Sequence, residues 1–110
     1  MLKYNVEFLQ EALYDLEEIV LYIAQDNKES ALAMRDEIIQ KANNLSLFPK
    51  RGRLIDDRNF GNSLGFRMII IKSYIMFYRI VEHDVFIYRV LHGKTNYPTL
   101  LQGESHNENK

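Results

Sequence analysis

Two aromatic–arginine pairs, Tyr78-Arg79 and Tyr88-Arg89, lie in the stretch YIMFYRIVEHDVFIYRVLHGK, residues 74–94, which closes on His92, Gly93 and Lys94. A histidine titrates near neutrality, so His92 beside Lys94 can act as a general acid or base. The cations Arg53, Arg67, Arg79, Arg89 and Lys94 cluster in one half of the chain. Set among large apolar residues, they describe an open, basic and aromatic surface of the kind that suits nucleic acids or acidic protein partners. The plainer account is that each arginine lies over aromatic rings and pairs locally with Glu82 or Asp84.

Other chemistries lack their residues. There is no cysteine, hence no disulfide, thiolate nucleophile or Cys-based zinc site. The chain contains no Gly-rich phosphate loop, no His-x-x-x-His pair and no Gly-x-Ser-x-Gly. His83, His92 and His106 are not spaced as a metal cluster, and no metal or cofactor is expected. The sequential acids Glu17/Glu18 and Asp36/Glu37 face different directions on their helices and read as solvated surface.

Positioning falls to a simple series of elements. Residues 2–8 alternate, with Leu2, Tyr4, Val6 and Phe8 on one face of a short strand. Leu9, Ala12, Leu13, Leu16, Ile19, Val20 and Ile23 then follow helical spacing, with Glu11, Asp15, Glu17 and Glu18 largely outside the stripe. Asn27 or Ser30 can cap a second helix, whose stripe is Ala31, Met34, Ile38, Ala42 and Leu45 and which Pro49 cannot continue. Residues 49–63, PKRGRLIDDRNFGNS, read as a polar loop. Three strand-like runs follow, 64–71, 74–81 and 85–92, joined by hairpin-length links. The order is β-α-α-β-β-β. The economical α+β solution is an antiparallel sheet with a helical hairpin packed on one face. The N-terminal strand fits an edge or an interior place. In the last strand, strict alternation sets Phe86, Tyr88, Val90 and His92 against Val85, Ile87, Arg89 and Leu91. The pattern is too mixed to say which sheet face the helices cover. Residues 1–101 form one domain, and 102–110 a polar tail expected to be mobile unless a partner holds it.

The chain has 110 residues, 46% of them apolar and 26% charged, which is enough for one folded domain. Its net charge of −1 conceals a division. Residues 1–48 hold four Lys/Arg against nine Asp/Glu, whereas residues 49–94 hold nine against four. An acidic half followed by a basic half suggests an acidic partner segment on the basic half. The N-terminus mixes charges into its apolar residues, so neither a signal peptide nor an anchor is expected, and a cytoplasmic location is.

The element order, the stretch PKRGR, the Phe66-Arg67 pair, YIMFYRI and above all YRVLHGK resemble the RelE/ParE superfamily of toxins from type II toxin–antitoxin systems, over residues 3 to 101. The resemblance implies a growth-inhibiting toxin neutralised by a cognate antitoxin in a hetero-oligomer. In that family the antitoxin's C-terminal segment wraps the toxin, often as a helix and an added strand. ParE-like members inhibit DNA gyrase. RelE-like members enter the ribosome and cut mRNA with basic side chains and no metal. Arg67 matches one RelE-like cationic position. Ile69, Ile75 and Thr95 stand where RelE-like members carry further cations, and a slightly acidic chain suits ribosomal RNA poorly. The expectation is therefore a ParE-like toxin whose target-binding face comprises Arg67, Arg79, Arg89, His92 and Lys94, with Arg53 on the neighbouring loop. A RelE-like nuclease using His92 and Arg67 is the alternative. A third reading is an inactive relative that acts only as a binding module.

Overall fold

The computed structural model describes residues 3–55 and 65–95. In chain order the elements are β1 (Asn5–Phe8), α1 (Gln10–Ala24), α2 (Lys28–Asn44), β2 (Arg53–Leu54), β3 (Arg67–Ile71), β4 (Tyr74–Val81) and β5 (Asp84–His92). The expected order is present with one addition. β2 lies in the stretch read as loop, where two residues pair with Arg67 and Met68 of β3. Leu2, Leu64, Arg58 and the tail 102–110 lie outside the described residues.

Asn27 caps α2, its side-chain oxygen accepting from the Ser30 amide at 2.9 Å, which satisfies one of the donors a helix start leaves open. The two helices pack as an antiparallel pair across one sheet face. The sheet order is β1-β5-β4-β3-β2. β2 to β5 are antiparallel, while β1 takes the edge beside β5 and runs parallel to it. The sheet is therefore mixed. A parallel neighbour requires a long crossover, and the helical hairpin begins that path.

The helices cover the face that carries Ile71, Tyr74, Met76, Tyr78, Val85, Ile87 and Val90. From α1 come Ala12, Leu16 and Ile19, and from α2 Ile38 and Ala42, with Leu45 just beyond its end. Phe66, Met68, Ile75, Phe77 and Leu91 form a second, smaller core on the opposite face. Val90 and Ile87 share a face although they are three positions apart, an odd spacing. The cause is a register shift: Phe77 pairs with Arg89 but Tyr78 with Ile87, which leaves Tyr88 as an extra residue in β5. Such a bulge reverses the alternation beyond it. Strict alternation therefore misassigned Val90 and His92 relative to Val85 and Ile87.

Gly52 is where the chain comes nearest the sheet. A Cβ there would lie 2.6 Å from the Tyr78 hydroxyl and 2.9 Å from the Met68 carbonyl oxygen. The hydroxyl is held by two hydrogen bonds and the second contact is backbone, so neither yields readily. Gly52→Ala should cost about 2 kcal/mol or more, seen as an earlier denaturant midpoint with an unchanged slope. An unchanged midpoint would show that the loop has room to move.

Candidate functional site

The loop between α2 and β2 is fixed by one phenol. The Tyr78 hydroxyl donates to the Pro49 carbonyl at 2.7 Å and accepts from the Gly52 amide at 2.8 Å. Arg67 donates to the Gly52 carbonyl at 2.9 Å. These bonds explain the spacing Pro49-x-x-Gly52, whose two ends meet the same oxygen. Burial pushes the Tyr78 phenol above its ordinary value, opposed by the Gly52 amide and the Arg67 charge. At neutral pH it is thus the protonated donor that the Pro49 carbonyl needs. Arg67 sits opposite Tyr78 in the β3–β4 ladder, on the helix-covered side and at the end of the sheet nearest the loop.

Arg79 lies on the other face. Its guanidinium stands 5.6 Å from the Phe66 ring centroid and 5.9 Å from that of Tyr88, and the two rings meet edge to face. Cation–π attraction holds it there. Arg53 pairs with Met68 across the β2–β3 ladder and shares this face, its guanidinium 3.7 Å from the Met68 sulfur.

Arg89 turns to the helices. Its Nε and Nη2 donate to the two carboxylate oxygens of Asp15 at 2.7 and 2.9 Å. Asp15 also accepts the Val90 amide at 3.0 Å. The carboxylate therefore binds both the guanidinium fork and a backbone donor beside the bulge. Asp15 is 8% exposed. Reading it as an acid outside the α1 stripe was wrong, and the local signal was available: Asp15 sits three residues after Ala12 and four before Ile19, within the buried stripe. Arg89 finds its partner on α1 rather than at Glu82 or Asp84.

His92 and Lys94 are exposed at the opposite end of the sheet from the loop. His92 packs edge to face against Tyr74, and its Nδ1 accepts the Lys94 amide at 3.1 Å. A neutral His92 ring then carries its proton on Nε2. Arg67 is level with Tyr78, whereas His92 is level with Tyr74. Four residues of strand separate those levels, about 13 Å, and two strand spacings add about 10 Å across the sheet. His92 and Arg67 are not brought together. Nor do the five cations form one face: Arg53 and Arg79 share one side, Arg67 lies on the other, Arg89 is clamped to α1, and Lys94 stands at the far end. Bulge and register divide what linear sequence grouped.

Beside His92 runs a groove of about 870 Å³ between α1 and the β4–β5 end, floored by Tyr74 and Val90 and walled by Ile19, Tyr22 and Met34. Lys72 and His92 stand at its rim. Among the described residues no cluster of His, Asp or Glu could hold a metal ion, and no helix is long and apolar enough to cross a membrane.

A helical hairpin on a mixed five-stranded sheet, with a short cationic loop beyond α2, is the RelE/ParE-like toxin fold. Residues 6–97 match the family described as the ParE toxin of the type II toxin–antitoxin system parDE, and the chain belongs to that family. Among solved structures it is similar to the chromosomal ParDE toxin–antitoxin system from P. aeruginosa. There the TM-score is 0.66 at 17% identity, covering 82% of this chain and 96% of that one. It is also similar to the RelBE2 toxin–antitoxin complex from Mycobacterium tuberculosis, with a TM-score of 0.60 at 26% identity over 86% of this chain and 97% of that one. No curated protein matches the chain.

The Asp15–Arg89 pair is nearly buried, with side-chain exposures of 9% and 15%. Removing one partner strands the other, so Asp15→Ala should lower unfolding stability by about 3 kcal/mol. The double change Asp15→Leu with Arg89→Met should lose less than Asp15→Ala alone, because it leaves no lone charge. Equal losses would contradict the clamp.

Proposed function

We propose that this ParE-family toxin inhibits DNA gyrase in the cytoplasm and is restrained by a cognate antitoxin. The observation that carries the reading is the dispersal of the groups a ribosomal nuclease would need. A general acid or base and the cation that stabilises the developing charge must converge on one phosphodiester, within hydrogen-bond reach of the atoms they serve. Here His92 and Arg67 are separated by strand register, and Arg89 is committed to Asp15. Ile75, where RelE-like members carry a cation, is buried in the second core beside Phe77 and Leu91. A cation there would be costly without a partner. Arg53, Arg67, Arg79 and Lys94 remain as contacts to a protein target.

Both solved relatives are named as toxin–antitoxin systems, which supports an antitoxin partner for this chain. The groove beside Tyr22, Met34 and Tyr74 has the apolar floor and polar rim suited to an antitoxin segment. A RelE-like mRNA endonuclease is the second reading, favoured by the similarity to the RelBE2 complex.

Purified toxin should slow supercoiling by purified gyrase, and His92→Ala should retain the effect. Addition of the antitoxin should restore supercoiling. Full gyrase activity at toxin excess, together with growth arrest on induction, would overturn the gyrase target. No arrest at all would leave a binding module.

A further inference from the structure

At the end of the sheet remote from His92, the chain leaving α2 forms a ridge with two properties. The first is exposed apolar surface: Leu47 is 43% exposed, Phe48 57% and Leu54 50%. Phe48, Pro49 and Tyr4 line a shallow cleft of about 540 Å³, with Lys50 and Arg51 completing its wall. The second is a concentration of positive charge. Residues 47–55 contain Lys50, Arg51 and Arg53 and no acid, and all three cations are exposed. Among the described residues none of the three makes an ion pair.

The ridge is also braced by hydrogen bonds at both ends. Tyr78 ties Pro49 to Gly52, Arg67 holds the Gly52 carbonyl, and the Arg51 amide donates to the Phe48 carbonyl at 3.1 Å. The Tyr4 amide donates to the Ser46 carbonyl at 2.8 Å, so β1 anchors the ridge from the other side. A preorganised surface pays little ordering entropy on binding. Solvated loop cations would need no such bracing.

We propose that the Leu47–Leu54 ridge is a docking surface for an acidic polypeptide segment bearing an apolar anchor. The anchor enters the cleft beside Phe48 and Pro49, and the flanking carboxylates meet Lys50, Arg51 and Arg53. A polypeptide is favoured over nucleic acid for two reasons. Beside the cleft the ridge exposes Leu47 and Leu54, aliphatic surface that an apolar side chain covers and on which a base does not stack. The molecule also carries an acidic helical half, with net charge −1 overall, which repels an extended polyanion. The surface is distinct from the groove at the His92 end, and the inference stands whether or not gyrase is the target.

The probe is a short synthetic peptide in which Asp and Glu flank a Leu-Phe pair, titrated into the isotope-labelled full chain and followed by amide chemical shifts. Its comparators are the same peptide with Lys in place of the acids, and oligouridylate. The acidic peptide should move the amides of Leu47–Leu54 and Tyr4 and leave those around His92 in place. Lys50→Glu with Arg51→Glu should weaken binding about tenfold, as two exposed attractions become repulsions. Its spectrum elsewhere should be unchanged. Phe48→Ser should weaken binding while preserving its salt dependence. Unmoved ridge amides, equal binding by the Lys peptide, or tighter binding of oligouridylate at the same residues would each overturn the proposal.

Discussion

The Asp15 carboxylate is the contact on which the arrangement of the sheet depends. β5 carries one residue too many for its partner, and a bulge disturbs the ladder around Tyr88 and Val90. Asp15, projecting from α1, takes the Val90 amide and both donors of the Arg89 fork. One side chain therefore pins the helix to the strand, satisfies a backbone donor and removes an arginine from the accessible set. Beyond the bulge, Val90 joins the core under the helices and Leu91 joins the second core. Without that change of phase the far half of β5 would present the wrong residues to each layer.

Tyr78 does the corresponding work at the other end. Its ring is fully buried in the main core, while its hydroxyl reaches the loop after α2. Gly52 is required because the phenol and the Met68 carbonyl occupy the space a side chain would need. Core packing is thereby converted into a fixed loop, and the loop presents Lys50, Arg51 and Arg53 in defined places. The cations of the basic half thus serve different purposes. Arg89 is structural, Arg79 is stacked, Arg67 braces a carbonyl, and the loop cations face solvent.

Much of the fold could be read from sequence because it rests on local periodicity. The α1 and α2 stripes, the Asn27 cap and the two hairpins all follow from residues close in the chain. The α+β layering follows from their order. Features that depend on distant partners were not legible. The parallel placing of β1 is set by pairing with a strand almost eighty residues away. The bulge at Tyr88 has no glycine or proline to announce it. Its consequence, that Arg89 faces Asp15, undid the grouping of the arginines on one face. The family was legible because YRVLHGK and PKRGR contain residues the fold itself uses: Arg89 for the clamp, and Pro49 with Gly52 for the loop. Those motifs report architecture, which is why they identify the family better than they identify a catalyst.

Among the described residues His92 stands apart from Arg67 and Ile75 is buried in packing, and the proposed reading as a gyrase inhibitor rests on that separation. The most direct test is mRNA integrity in a translating extract to which the toxin is added. The predicted result is intact message, with and without His92→Ala. Codon-phased cleavage by the parent chain that disappears in His92→Ala would contradict it, and would mean that the separated residues are reunited on the ribosome.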